Sequence, residues 1–264
     1  MPEVTVSDGA KIHYKTEGRE AGPPLVFSNS LGTSLAMWDG QAAEAVGHGF
    51  RVIRYDTRGH GKSDAPKGPY TLARLSDDLI DLLDALEIEA TAFCGISMGG
   101  MTGMHAAKKH PRRFSRLALC NTAAHMAPRE LWEQRIEAVS KRGMAAVADG
   151  VVERWFTSDF RSRQPQPVKR IREMLLSTNP DGYAGCCAAI RDMDERDFLG
   201  TIEASALVVV GAHDPATTPE KGKYIAEHIP GARLETLDCA HLSNVERPED
   251  FNRIVLGFLT NGAP

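Results

Sequence analysis

Ser97 stands in the run Gly95-Ile96-Ser97-Met98-Gly99-Gly100, after the apolar Ala92-Phe93-Cys94 and before the small-residue segment 101–107. Strand, G-x-S-x-G, helix is a pattern that holds a serine hydroxyl on a sharp turn. Small neighbours suit that turn, because side chains at 95 and 99 would crowd the backbone. A serine hydroxyl is a weak nucleophile near neutrality. It needs a general base, usually imidazole, and the imidazole benefits from an orienting carboxylate. Downstream stand Gly211-Ala212-His213-Asp214-Pro215 and then Asp238-Cys239-Ala240-His241. Serine, acid and histidine thus follow in order, the last two on loops after strands, where open α/β sheets place active groups. Ser97 is the candidate nucleophile, His241 the base and Asp214 the orienting acid. Asp238 is an alternative acid, only three residues from His241. Asp214 before Pro215 is also what an ordinary turn start looks like. His213 competes as a proton partner of Asp214, and its simpler reading is a solvated neighbour.

Attack on an ester carbonyl makes an oxyanion, which needs donors. The backbone N–H of Met98 follows the serine directly. The loop Ser28-Asn29-Ser30-Leu31-Gly32-Thr33-Ser34 offers the backbone N–H of Leu31 as the second. Loss of one such donor costs roughly 2.7–4 kcal/mol of transition-state stabilisation. Three other patterns fail. Gly61-Lys62-Ser63 resembles the end of a phosphate-binding loop, but the required earlier glycine is Asp56. It reads as a structural turn ordered by Arg58. Cys94, His110 and Cys120 lack compact metal-ligand spacing, and no G-x-G-x-x-G fingerprint occurs early in the chain. No metal and no cofactor are expected.

The elements that must position these groups are legible in the patterning. Lys11-Ile12-His13-Tyr14-Lys15-Thr16 alternates as a half-exposed strand does. Leu25-Val26-Phe27-Ser28, 50–55, 91–94, 116–120, 206–210 and 234–237 read as further strands. Leu72, Leu75, Leu79, Leu82, Leu83 and Leu86 form one helical stripe, with Thr71 as its cap. Helices are also expected around Tyr224-Ile225-Ala226 and over 248–259. Between Ala127 and Arg196 no strong buried strand appears. Helices are expected there over 129–141, 143–155, 166–177 and 181–190, with a break at 161–167. Strands separated by helices imply a mainly parallel sheet covered on both faces. The expected fold class is therefore α/β, a mainly parallel central sheet flanked by helices with an inserted helical cap. The expected division is core 1–126, cap 127–196 and core 197–264; ordinary crossover helices are the alternative reading of the middle.

The 264 residues carry 42% apolar and 25% charged side chains and a formal charge of −4. That balance excludes general attraction to nucleic acid or to an anionic membrane surface. No apolar run approaches the roughly 18 residues of a membrane span. Met1-Pro2-Glu3-Val4 lacks a basic and then apolar leader. Cys94, Cys120, Cys186, Cys187 and Cys239 are odd in number and lack C-x-x-C spacing, which suits reduced thiols in the cytoplasm. A monomer or small homo-oligomer is expected.

These motifs resemble the α/β-hydrolase superfamily across essentially the whole chain. They are Ser28-Asn29-Ser30-Leu31-Gly32, Asp56-Thr57-Arg58-Gly59-His60-Gly61, Gly95–Gly100, Gly211–Asp214 and Ala240-His241. The resemblance implies a Ser97–His241–Asp214 triad. Asn29-Ser30 departs from the common histidine-glycine oxyanion motif. Together with Gly185-Cys186-Cys187-Ala188-Ala189-Ile190-Arg191-Asp192-Met193-Asp194, that loop looks like the 3-oxoadipate enol-lactonases, bacterial enzymes of aromatic-compound degradation. The implied substrate is a small anionic lactone, the five-membered enol-lactone bearing an acetate group, and the implied product is 3-oxoadipate. Its carboxylate calls for a cation or other donors in the pocket. Residues 154–172 hold six basic side chains (Arg154, Arg161, Arg163, Lys169, Arg170, Arg172) against one acidic, Asp159. Arg191 is a further candidate for the carboxylate, with Asp192, Asp194 and Glu195 as competing partners. Trp132, Trp155 and Phe156 are candidates for an apolar wall. Another serine esterase or lactonase is the alternative enzyme class; a noncatalytic ligand-binding protein is the alternative outside enzymes.

Overall fold

The structure, a computed structural model, describes residues 2–260; Met1 and 261–264, at the ends of the first and last expected segments, lie outside the described residues. The first half runs β1 (Glu3–Thr5), β2 (Lys11–Glu17), β3 (Pro24–Ser28), α1 (Asp39–Gly47), β4 (Arg51–Tyr55), α2 (Leu72–Ala85), β5 (Thr91–Ile96), α3 (Met98–Lys109) and β6 (Phe114–Cys120). Five helices follow: α4 (Arg129–Arg142), α5 (Ala145–Trp155), α6 (Ser158–Arg163), α7 (Pro165–Leu176) and α8 (Pro180–Asp192). The chain then returns through β7 (Ser205–Gly211), α9 (Pro219–His228), β8 (Arg233–Leu237), α10 (Ser243–Glu246) and α11 (Pro248–Thr260).

Among the described residues, eight strands join one sheet in the order β1-β2-β4-β3-β5-β6-β7-β8. β1, β2 and β4 pair antiparallel; every pairing from β4 to β8 is parallel. Burial explains which strands are central. β5 is buried at every position, and β7 at every position but its first. That is what helices on both faces of a parallel sheet require. β2 does not alternate strictly, because Ile12 and His13 are both buried, but its second half is more exposed, as an outer strand is. β1, three residues long, has too little pattern to be seen in the sequence.

Local chemistry sets the helix ends. Thr71 accepts from the Arg74 N–H at 3.1 Å and starts α2, whose leucine stripe packs into the core. Asn179 accepts from the N–H groups of Asp181 and Gly182 at 2.9 and 3.1 Å, and Pro180 opens α8. The expected break at 161–167 is shorter than its composition implies. Thr157 caps α6, which reaches Arg163, and Pro165 opens α7 after the single residue Gln164. Proline lacks the N–H that a first helical position leaves unpaired, so here it begins a helix.

Parallel register brings the C-terminal ends of β3, β5, β6, β7 and β8 to one edge of the sheet. The loops carrying Leu31, Ser97, Asn121, Asp214 and His241 leave from that edge. Among the described residues no helix is long and apolar enough to cross a membrane. All five cysteines are buried and unpaired.

Candidate active site

Ser97 sits between β5 and α3 with φ 56° and ψ −116°, a left-handed conformation that L-residues rarely adopt. The surroundings fix it. Its N–H donates to the Cys120 carbonyl at 3.0 Å, and its carbonyl accepts from Met101 N–H and Thr122 Oγ1 at 3.0 and 2.7 Å. The flanking glycines are required by close approach. A Cβ on Gly95 would collide with the Gly99 backbone, and one on Gly99 with the Ser28 carbonyl. β3, β5 and the start of α3 meet at this elbow because two side chains are absent.

Asp214 follows β7 and His241 follows β8. His241 Nδ1 lies 2.7 Å from Asp214 Oδ2. Thr217 Oγ1 donates to the same oxygen at 2.6 Å, Asn121 Nδ2 at 3.1 Å, and the N–H groups of Ala216 and Thr217 bond Oδ1 at 2.8 and 3.0 Å. Burial pushes the Asp214 carboxyl up, but the His241 charge and these hydrogen bonds outweigh burial and hold it below its usual range. Asp214 is therefore a carboxylate that accepts the Nδ1 proton of His241, and Nε2 is the ring nitrogen left for proton transfer. The backbone N–H groups of His241 and Leu242 both donate to the Trp155 carbonyl at 3.1 Å, tying this loop to the end of α5.

Ser97 and His241 line one cavity of about 340 Å³, between the sheet edge and the helices α4, α5 and α8. Leu31 lines it too. Among the described residues, neither the Leu31 nor the Met98 amide is used in a backbone or side-chain hydrogen bond. Trp132, Trp155, Tyr183, Val151 and Met101 supply apolar wall. Phe156, also considered for that wall, is buried and stacks on Phe160 instead.

The cationic wall differs from expectation. Arg191 is absent from the cavity lining; its Nε and Nη2 bond both oxygens of Asp192 at 2.9 and 2.7 Å. α8 turns Ile190 to the cavity and leaves position 191 beside the acid that follows it. Of the six basic residues in 154–172, only Arg154 reaches the cavity. Arg163, Lys169, Arg170 and Arg172 pair with Asp159, Glu173, Asp39 and Asp149, and Arg161 donates to the Glu153 carbonyl. Among the described residues, the cavity cations are Arg154, Arg135 and Lys221, and no Asp or Glu lines the cavity with them. Arg135 lies over the Trp132 ring at 4.8 Å. Burial, reinforced by Arg135, pulls the Arg154 guanidinium below its ordinary value, and burial does the same to Lys221. Arg135 had one sequence signal: it stands three residues after Trp132, on the same helix face. Lys221, Asn121 and Thr217 had none. Asp238 bonds His213 Nε2 at 2.8 Å and Arg247 at the surface, not His241.

Residues 23–248 match the family described as the alpha/beta hydrolase fold. The chain is 43% identical over 252 residues to 3-oxoadipate enol-lactonase 2 of Acinetobacter baylyi, covering 96% of this chain and 94% of that protein. The crystal structure of the enol-lactonase from Burkholderia xenovorans superposes with TM-score 0.96 at 46% identity, covering 98% of this chain and all of that one. A thermophilic esterase from Thermogutta terrifontis superposes with TM-score 0.93 at 27% identity over 98% of both chains. The chain belongs to the α/β-hydrolase fold family and, through its kinship with the enol-lactonases, is a carboxylic ester hydrolase.

Proposed function

We propose that this chain hydrolyses 3-oxoadipate enol-lactone to 3-oxoadipate through an acyl-enzyme on Ser97, within bacterial breakdown of aromatic compounds. The observation that carries the reading is one cavity that holds Ser97 and His241 at its floor and three cations without a carboxylate in its walls. A neutral ester has no use for that charge, whereas a small lactone with a free carboxylate does. The names of the relatives point to the same substrate.

In the first stage His241 Nε2 takes the Ser97 proton while Oγ bonds to the lactone carbonyl carbon. Asp214 orients the ring and stabilises the imidazolium. The Leu31 and Met98 amides bind the oxyanion. Collapse breaks the ring C–O bond and expels an enolate, a better leaving group than an alkoxide, which takes the proton from His241. In the second stage water gives its proton to His241 Nε2 and its oxygen to the acyl carbon. The Oγ bond breaks, and His241 returns the proton to Ser97. The released enol tautomerises to the ketone. Arg135 and Arg154 hold the acetate carboxylate, and Trp132 and Trp155 flank the ring. Residues 127–196 act as the cap over this site, and the five buried thiols suit the cytoplasm.

The test compares kcat/KM for the enol-lactone and for neutral aryl esters, in the wild type and in Ser97→Ala. The wild type is expected to prefer the lactone, and Ser97→Ala to lose turnover of both. Equal or better efficiency on the aryl esters would overturn the lactone reading. Retained turnover in Ser97→Ala would overturn the nucleophile. A folded wild type showing no burst of acylation with an activated ester would favour a binding protein.

A further inference from the structure

The loop after β4 carries a buried histidine that the reaction above does not use. His60 is 1% exposed and lies outside the cavity lining. Its Nε2 receives the Gly32 N–H at 2.8 Å, and its Nδ1 lies 3.2 Å from the Arg58 carbonyl. A backbone N–H only donates, so Nε2 must hold the lone pair. Nδ1 then carries the proton and donates to Arg58. Both contacts thus select one neutral tautomer. We propose that His60 is a positioning residue that holds the Leu31 amide in place as an oxyanion donor, an inference that rests on the reading of Ser97 and Leu31 given above.

The Leu31 N–H belongs to the peptide joining Ser30 and Leu31. The carbonyl of that peptide accepts from Thr33 N–H at 3.2 Å and from Thr33 Oγ1 at 2.7 Å. The next peptide, joining Leu31 and Gly32, is held through its N–H by His60. Fixing the peptides on both sides of the Leu31 Cα leaves its own N–H little freedom to turn. The same strap grips the loop again further on, where Asp56 Oδ1 accepts from the Leu35 N–H at 2.7 Å. The strap itself is immobilised. Arg58 bonds both oxygens of Asp78 at 2.6 Å and reaches Asp8 at 2.9 Å. On its far side it meets α8: Gly59, at φ +79°, packs so closely on Gly182 that a Cβ on either would collide with the other's backbone. Burial pushes the His60 imidazole down to about 4, which keeps the lone pair on Nε2 at ordinary pH.

Oxyanion donors work by being in place before charge develops, so a shift in one weakens the transition state more than the bound substrate. The experiment uses His60→Leu, which removes the acceptor, and His60→Gln, whose amide oxygen can accept from the Gly32 N–H. Turnover of the lactone is measured with inhibition by phenylboronic acid, whose tetrahedral serine adduct resembles the intermediate, and with thermal unfolding. His60→Leu is expected to lower kcat by about 10- to 100-fold, less than deletion of a donor. KM should stay within about twofold, and boronate affinity should fall by the same factor as kcat/KM. His60→Gln should recover most of both. Unchanged kcat and boronate affinity in folded His60→Leu would overturn the proposal. So would a His60→Gln variant as impaired as His60→Leu with a wild-type Tm, or a loss in both that follows Tm alone. Retained turnover in Ser97→Ala instead removes the reading of the site itself, whatever the His60 variants do.

Discussion

On the sheet side of the cavity, the Asp214 carboxylate accepts bonds from Ala216 and Thr217 N–H, Thr217 Oγ1, Asn121 Nδ2 and His241 Nδ1. On the helical side, Arg154 and Arg135 face the same space with no acid in the lining to neutralise them. The sheet side is held largely by backbone and short side chains: Ser97 by Cys120, Met101 and Thr122, Gly32 by His60, His241 by the Trp155 carbonyl. The helical side presents long side chains, with Arg135 over the Trp132 ring and burial lowering the Arg154 guanidinium. The difference separates two demands. Bond making needs groups fixed to a few tenths of an ångström before the substrate arrives. Recognition of a small anion needs charge that is left unsatisfied until then.

The contrast can be broken first where its effect is largest. In the proposed mechanism, Asp214→Asn removes the charge that stabilises the imidazolium and the acceptor that selects its tautomer. Steady-state kcat should fall on the order of 10³- to 10⁴-fold for anionic and neutral esters alike. A fall confined to the lactone would move Asp214 from chemistry to recognition. Next comes the acid sensitivity of the fold. His60 has a folded value near 4 against an ordinary 6.5, so the unfolded chain binds the proton first as pH falls. Its contribution to stability is complete above about pH 6.5 and is lost towards pH 4, a difference of about 3 kcal/mol. Urea unfolding across that window should show the loss in the wild type and a flatter profile in His60→Gln. The helical side is probed by Arg135→Leu and Arg154→Leu. Each removes a charged hydrogen-bond donor, so KM for the lactone should rise about 10- to 100-fold per residue, with kcat and neutral-ester kinetics little changed. Equal loss on neutral esters would mean the arginines shape the cavity rather than read charge. The smallest effect is expected from Arg191→Ala, which removes an exposed pair with Asp192. Kinetics on the lactone should stay within about twofold and stability within about 0.5 kcal/mol.

Much of the scaffold is legible because parallel strands and their flanking helices leave strong patterns. Leu207-Val208-Val209-Val210 reads as a buried strand and is one, and the α2 stripe with Thr71 before it reads as a capped helix and is one. The elbow is legible for a local reason: Gly95 and Gly99 are demanded by collisions within a few residues of chain. The cation wall was not. The positive stretch 154–172 had the right sign, but five of its six members found carbonyls or carboxylates elsewhere. Composition counts charges without showing which way a helix turns them.

Residue type and order therefore determined the family and the parallel sheet, and they singled out Ser97, Asp214 and His241 as the candidate groups, since each depends on spacing along the chain. Tertiary structure alone decided that Arg135, Arg154 and Lys221 face the cavity while Arg191 turns away, that Asn121 and Thr217 share the Asp214 carboxylate, and that His60 grips Gly32. Those pairings join residues up to 93 positions apart in the chain. Their partners are set by strand order and helix rotation, which only the packing of the whole chain supplies.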